Sequence, residues 1–341
     1  MGLFEHKIAE FPEIREWVNS LDISNISDFL LTDQELSRMF LASGGSYSAA
    51  SFAELLSVEK GIMGHAMTPF IYTGGGYEKI HGKTLLISAS GANKDIWRGF
   101  ESCIKGNNQK IGAVTLSKEG RLQKHFGIER IETLFDYAIP TGRDGFLSTC
   151  TVLAFYLILY RAFGFNDADK VNMEVSEEEK KEISDFVDSL KYIPSNSLTD
   201  HEDFVNKLEG VDSFFILYTA KSLPAAQDIE SKFSEGALGN TQLADYRNFA
   251  HGRYNWFTQR PGQTGLICLQ TPDAVEMSEE ILGRLPEHVP IIRLRTSYNT
   301  PLGCIDLLIK EHYLCSAFAN RWGLDISRPV VPAYGKELYR M

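Results

Sequence analysis

Along the chain, short continuous apolar runs alternate with longer stretches in which apolar residues recur at helical spacing. KTLLISAS (83–90), GAVTL (112–116), QTGLICLQ (263–270) and PIIRL (290–294) are apolar on both sides, not on alternate residues. Such runs predict strands of a parallel sheet that is covered on both faces. The run FLSTCTVLAFYLILY, Phe146 to Tyr160, raises a different question because it is apolar throughout. It falls short of the roughly 20 residues that span a bilayer and predicts a buried helix.

The chain also repeats itself. LASGGSYSAASFAELLSVEKG (Leu41 to Gly61) lies without a gap on LYTAKSLPAAQDIESKFSEG (Leu217 to Gly236). Ser46 then falls on Ser222, Ala49 and Ala50 on Ala225 and Ala226, Glu54 on Glu230, and Glu59 on Glu235. Each copy reads as strand, small-residue turn and helix. The strands at 83–90 and 112–116 have their counterparts at 263–270 and 290–294. This predicts an α/β architecture made of two similar halves.

The expected organisation is an N-terminal segment (1–35) of two short amphipathic helices, a first lobe (36–165), a connector (166–200), a second lobe (201–330) and a C-terminal tail (331–341). The connector carries the charge run VSEEEKKEISDFVDSL, read as a solvated helix. At 341 residues, 43% hydrophobic and 23% charged, the chain has material for two cores. A net charge of −11 gives none of the basic footprint that nucleic-acid binding requires. Nothing in the first residues resembles a secretory signal, so a cytoplasmic protein without membrane contact is expected. The five cysteines, Cys103, Cys150, Cys268, Cys304 and Cys315, are scattered without ligand spacing. They are expected to be reduced core thiols, and neither a metal nor an organic cofactor is implied.

Candidate chemistry concentrates in two places. LLISASGANKD (85–95) runs from a buried strand through Ser88, Ser90 and Gly91 into a helix that starts near Asn93. Hydroxyls and unpaired N–H groups at a helix N-terminus favour an anion, and a phosphate suits the turn, although serine capping alone would give the same pattern. The equivalent turn CLQTP (268–272) lacks the serines and the glycine, so one phosphate site is expected, not two. A second turn, Ser43, Gly44, Gly45, Ser46, is placed to receive the other end of the same ligand. In the second half, Asp228, Lys232 and Glu235 share one helix face at i, i+4 and i+7. By itself that spacing equally describes a surface salt-bridge row.

SGGSYSAA followed by SASG, then AAQDIESKFSEG followed by FAHG, resembles the double sugar isomerase (SIS) family. Members include the isomerase half of glucosamine-6-phosphate synthase and the fructosamine-6-phosphate deglycases. Asp228 falls on the first glutamate of that family's A-x-E-x-A-L-K-x-x-E helix, Lys232 on its lysine and Glu235 on its second glutamate. His251 falls on the histidine of its His-Gly pair, at the spacing from Glu235 that the family keeps. The resemblance implies an α/β fold of two tandem SIS lobes, each a parallel sheet flanked by helices on both faces in a flavodoxin-like three-layer αβα arrangement. It also implies a phosphosugar ligand and a homodimer whose active sites are shared between subunits.

The activity implied is proton shuttling at C1 or C2 of a 6-phosphosugar, in an isomerase, a deaminase or a deglycase. Glu235 would be the general base and His251 the general acid, with Asp228 and Lys232 beside them. Ser148 corresponds to the serine of the family's Ser-Thr-Lys sequence and would touch substrate, but Cys150 stands where the lysine belongs, so the contacts of that lysine are expected to be lost. The tail 325–337 resembles the one whose lysine fixes the open-chain sugar; Lys336 is the candidate, and a plain surface lysine is the alternative. The chain begins with no glutaminase domain, so glutamine-dependent amination is not expected. The rival reading is a phosphosugar-sensing SIS protein that has kept the ligand site without the chemistry.

Overall fold

The computed structural model describes residues 2–106, 109–125, 131–190, 211–259 and 263–340. Three helices, α1 (Leu3–Ala9), α2 (Phe11–Ser20) and α3 (Ser24–Leu31), open the chain where two were expected. Phe4, Ile8, Phe11, Ile14, Val18, Ile26 and Leu30 are buried, so these helices are part of the main core.

The first sheet contains β1 (Ser37–Leu41), β2 (Gly64–Met67), β3 (Gly82–Ile87), β4 (Gln109–Thr115) and β5 (Ile131–Asp136). All pairings are parallel and the order is β2-β1-β3-β4-β5. The second sheet contains β6 (Ser213–Tyr218), β7 (Asn240–Asp245), β8 (Thr264–Gln270) and β9 (Ile291–Arg295), also parallel, in the order β7-β6-β8-β9. The two orders match strand for strand, and the first sheet adds β5. The repeat seen in the sequence is therefore a repeat of topology: β1 leads into α4 (Tyr47–Glu59) as β6 leads into α10 (Leu223–Glu235).

Successive side chains of a strand point to opposite faces, so an apolar run must be met from both sides. In β1, Met39 and Leu41 face an outer core with Trp97 and Phe100 of α6 (Lys94–Gly106) and with Tyr72 of α5 (Pro69–Gly74), while Phe40 faces the inner core. In β6, Phe215 and Leu217 face an outer core with Phe249, Phe257 and Leu282, while Phe214 and Ile216 face inward. The inner core is common to both sheets. Helices α4 and α8 (Cys150–Ala162) come from one half, and α10 and α13 (Leu302–Trp322) from the other. The run expected to form a buried helix is α8, in which every residue but Arg161 is buried. Among the described residues, no helix is long and apolar enough to cross a membrane. The connector contains α9 (Glu177–Ser189), whose Ile183, Phe186 and Val187 are buried. Its last part, 191–200, lies outside the described residues.

Candidate functional site

β1 pairs with β2 on one side and β3 on the other, so the strand order reverses between β1 and β3. In open parallel sheets, ligands bind outside the carboxyl ends of the strands at such a point. A cleft of about 960 Å³ opens there. Ser43, Gly45 and Ser46 after β1, Ser88, Ser90 and Asn93 after β3, and Lys118 after β4 line it, together with Arg143, Phe146 and Ser148 after β5 and Glu235 at the end of α10. Gly44, within the first turn, has φ +56°, a conformation that glycine adopts without strain.

The turn after β3 forms as its sequence dictates. Gly91 takes a left-handed φ of +62°. Its N–H donates to Ser88 Oγ (3.2 Å), and the Ala92 N–H donates to Ser90 Oγ (3.2 Å). Asn93 Oδ1 accepts from the N–H of Asp95 (2.7 Å) and caps α6. Both serine oxygens are acceptors within the turn, so each O–H remains able to donate to an anion at the positive end of the helix. The corresponding turn of the second sheet is closed on itself. Gln270 is fully buried and donates to Ser278 Oγ (2.8 Å) and Glu279 Oε1 (2.7 Å), and Thr219 Oγ1 lies 3.1 Å from Thr271 Oγ1.

Three close approaches bring the remaining wall together. A Cβ on Gly45 would stand 3.0 Å from Ser148 Cβ, so this glycine lets the two turns meet. Ser148 Oγ is buried and, among the described residues, has no hydrogen-bond partner. A Cβ on Gly236 would stand 2.8 Å from the Lys232 carbonyl and 3.4 Å from Leu147, so Glu235 is seated against the loop that carries Ser148. Glu235 itself is exposed, with Oε1 accepting from Ser231 Oγ at 2.8 Å.

Asp228 and Lys232 lie elsewhere than the helix face they share with Glu235 suggested. They are 1% and 3% exposed and lie behind the cleft, neither lining it nor forming a surface ion-pair row. The Lys232 ammonium pairs with Asp228 and stands 3.3 Å from Glu311 of α13. Ser48 Oγ, in the first turn of α4, donates to Asp228 Oδ1 at 2.8 Å. His312 Nδ1 is 2.8 Å from Glu311 Oε1, and its ring is stacked on Phe4 and edge-on to Phe11.

Burial pushes the Asp228 carboxyl up to about 6; Lys232 opposes the shift, and the Glu311 charge adds to it. Burial works against the Lys232 charge as well, but the attraction of Asp228 and Glu311 overcomes it and holds its pKa above the ordinary value. Burial, with Lys232 nearby, takes His312 down to about 3, so its ring is neutral. Asp228, Glu311 and His312 present ligand atoms within 4.8 Å of one another, a set able to hold a cation. The Lys232 ammonium supplies the positive charge there. Sequence reading missed Ser48, Glu311 and His312. The available signal was the adjacent Glu-His pair in the otherwise apolar LLIKEHYLC of α13, since buried charges are rare unless paired.

His251 is exposed and does not line this cleft. It sits in the π-turn Phe249–Arg253, where Gly252 takes φ +129° and the buried Phe249 anchors the turn on the second sheet. The turn borders an apolar hollow of about 640 Å³ lined by Phe249, Ala250, Tyr254, Phe257, Ile281 and Leu285. Lys336 falls in α14 (Ala333–Arg340), but its side chain lies outside the described residues. Cys150 is buried at the start of α8, where Sγ donates to the Lys7 carbonyl at 3.1 Å. The other four cysteines are also buried free thiols.

No protein-family model and no curated protein sequence matches the chain. Solved structures do. A glucosamine-6-phosphate deaminase from Thermotoga maritima superposes with TM-score 0.69 at 14% identity, covering 96% of this chain and 97% of that one. The C-terminal domain of glucosamine-fructose-6-phosphate aminotransferase from Francisella tularensis gives 0.66 at 13% identity, covering 96% and 98%. A tagatose-6-phosphate ketose/aldose isomerase from Escherichia coli gives 0.65 at 14%, covering 94% and 93%. The chain therefore has the two-sheet α/β fold that these sugar-phosphate proteins share, as its resemblance to the double-SIS family implied.

Proposed function

We propose that the chain is an enzyme that binds a 6-phosphosugar in the cleft and shuttles a proton between C1 and C2 of its open-chain form. One observation carries this reading: the serine turn suited to phosphate and the carboxylate of Glu235, far apart in sequence, line a single cleft. Ser88, Ser90 and Asn93 hold the phosphate at the N-terminus of α6. Ser43, Gly45, Ser46 and the buried Ser148 hydroxyl meet the sugar. The Glu235 carboxylate removes a proton from one carbon and returns it to its neighbour. Asp228 and Lys232 do not touch substrate; they act as positioning residues that hold α10 against α4. The solved structures of this fold support the reading through the phosphosugar chemistry named for them.

His251 serves as the acid from a second copy of the chain. The exposed turn that carries it and the apolar hollow beside it suit an isologous interface. Co-expression tests this. Glu235→Gln and His251→Ala should each be inactive alone, and random pairing of the two variants should restore about a quarter of wild-type turnover, from the one intact site in each mixed dimer. Failure of the mixed dimers to recover any turnover, with both variants folded and dimeric, refutes the shared site.

A further inference from the structure

One wall of the cleft is the loop between β5 and α8, from which Ile139, Gly142, Arg143, Phe146 and Ser148 line it. Between Asp136 and Cys150 the backbone forms neither strand nor helix. Its shape therefore depends on what its polar groups meet elsewhere in the chain. The second half of the loop is tied in two places. Asp144 accepts from the N–H groups of Thr149 (2.8 Å), Cys150 (3.2 Å) and Thr151 (2.9 Å) at the start of α8. The Phe146 N–H donates to the Ser327 carbonyl at 2.7 Å, and a Cβ on Gly145 would stand 2.8 Å from that same oxygen.

The first half is held by a charge. The ammonium of Lys7, on α1, donates to the Thr141 carbonyl and, at 2.8 Å, to Glu10 Oε2. Lys7 is 4% exposed, and Cys150 Sγ donates to its carbonyl at 3.1 Å. Lysine is seldom buried, because its charge must leave water. Pairing with Glu10 does not require that burial, since residues three apart on a helix can meet in solvent. What burial adds is the bond to Thr141. The support behind Lys7 is firm: Phe4, Ile8 and Phe11 are buried in the main core, and the rings of Phe4 and Phe11 pack on His312.

We infer that Lys7 is a positioning residue for the cleft: its ammonium fixes the Thr141 end of the loop and so sets where Arg143, Phe146 and Ser148 stand. Lys7 does not itself line the cleft, and it acts through the backbone of the loop. The N-terminal helices are thereby part of the ligand site, although their sequence carries none of its chemistry. The effect expected on ligand rests on the phosphosugar reading above; the effect expected on the loop does not. Replacing Lys7 by Met keeps the length of the side chain and removes the donor. Glu10 then still has His6 Nε2 at 3.3 Å, so the group left without its partner is the Thr141 carbonyl.

Amide hydrogen exchange of the full chain without ligand, read by mass spectrometry over residues 139–151, tests the hold on the loop. Lys7→Met should speed exchange there by about tenfold or more, the size of one charge-assisted hydrogen bond, and leave β6 and β8 unchanged. Its affinity for glucitol 6-phosphate in calorimetry should fall by about tenfold. The double variant Lys7→Met with Glu10→Gln, which leaves no charge from the pair, should keep both defects, and it carries the comparison if the single variant does not fold. Arg15→Met is the control, since Arg15 Nη1 donates to the Val171 carbonyl (2.9 Å) and ties α2 to the connector, away from the cleft. Unchanged exchange in the Lys7 variants overturns the inference. So does recovery of protection in the double variant, which would trace the effect to an unpaired Glu10, or equal loosening of the loop by Arg15→Met. A faster loop with undiminished affinity for the probe overturns its link to the cleft. If the wild type does not bind glucitol 6-phosphate, the phosphosugar reading fails, and the exchange comparison alone decides whether Lys7 holds the loop.

Discussion

Replacing Lys232 by Met removes the one ammonium between two carboxylates that have no access to water. Asp228 is 1% exposed and Glu311 is fully buried, and Lys232 contacts both. Removing one partner of a buried ionic group leaves an uncompensated charge and costs about 3–5 kcal/mol. The unfolding entropy of a 341-residue chain, at about 2.1 cal/mol/K per residue, comes to about 0.7 kcal/mol/K. Lys232→Met should therefore lower Tm by about 4–7 °C at neutral pH, measured by circular dichroism.

The pH dependence has a definite sign. Asp228 titrates near 6 in the folded chain, above its ordinary value of 3.8, so the folded state binds the extra proton between those values. Its contribution thus disfavours folding as pH rises from 3.8 through 6. Without Lys232 the folded pKa rises further, so the deficit of the variant should shrink as pH falls toward 5. Neutralising the whole cluster by Asp228→Asn, Lys232→Met and Glu311→Gln leaves no charge within it, and should recover most of the lost stability. A single Lys232→Met variant that unfolds within about 1 °C of wild type at neutral pH would refute the reasoning.

Three other expectations can be checked alongside. A Cβ on Gly120 would stand 2.4 Å from the Ser90 carbonyl, so Gly120→Ala must displace the serine turn after β3 and, on the proposed reading, should weaken binding of glucitol 6-phosphate by about tenfold or more in calorimetry. Arg38 is 1% exposed and donates to the carbonyls of Leu30, Thr32, Asp33 and Leu36. Arg38→Met should cost about 3 kcal/mol or more in denaturant unfolding, because those acceptors are left unpaired. Hydrogen bonds from Lys83 and Lys110 hold Asp33 down at about 2, so its contribution to stability is present above its ordinary pKa and is lost as pH falls from about 4 through 2. Asp33→Asn should flatten that part of an acid-unfolding curve.

What the sequence made legible was local. The strand-turn-helix repeat emerged as β1-α4 and β6-α10 because small residues at the turn and alanines on the helix are needed in both copies for close packing. The serine turn after β3 emerged as a turn because its serines, Gly91 and Asn93 each serve their own few residues of backbone. The edge strands β2 (GHAM) and β7 (NTQLAD) were not read as strands, since an edge exposes one side and tolerates polar residues that mimic a loop.

The orientation of α10 was the larger gap. Spacing of i, i+4 and i+7 says that Asp228, Lys232 and Glu235 share a face, but not what that face meets. Glu311 and His312, supplied from a helix late in the chain, turn the first two inward, while Glu235, at the last turn of α10, emerges into the cleft. The third N-terminal helix was missed because SNISDFLL is short and only its Ile26, Phe29 and Leu30 are buried.

The most direct test of the central claim is proton NMR of the protein in heavy water with fructose 6-phosphate, glucosamine 6-phosphate and fructosamine 6-phosphate conjugates, following the C1 and C2 protons. The account predicts exchange with solvent or product formation in the wild type. In Glu235→Gln both should be lost, while saturation transfer to the phosphosugar persists. Exchange that continues undiminished in Glu235→Gln would contradict the account, as would a wild-type protein that binds the phosphosugar and never exchanges its protons.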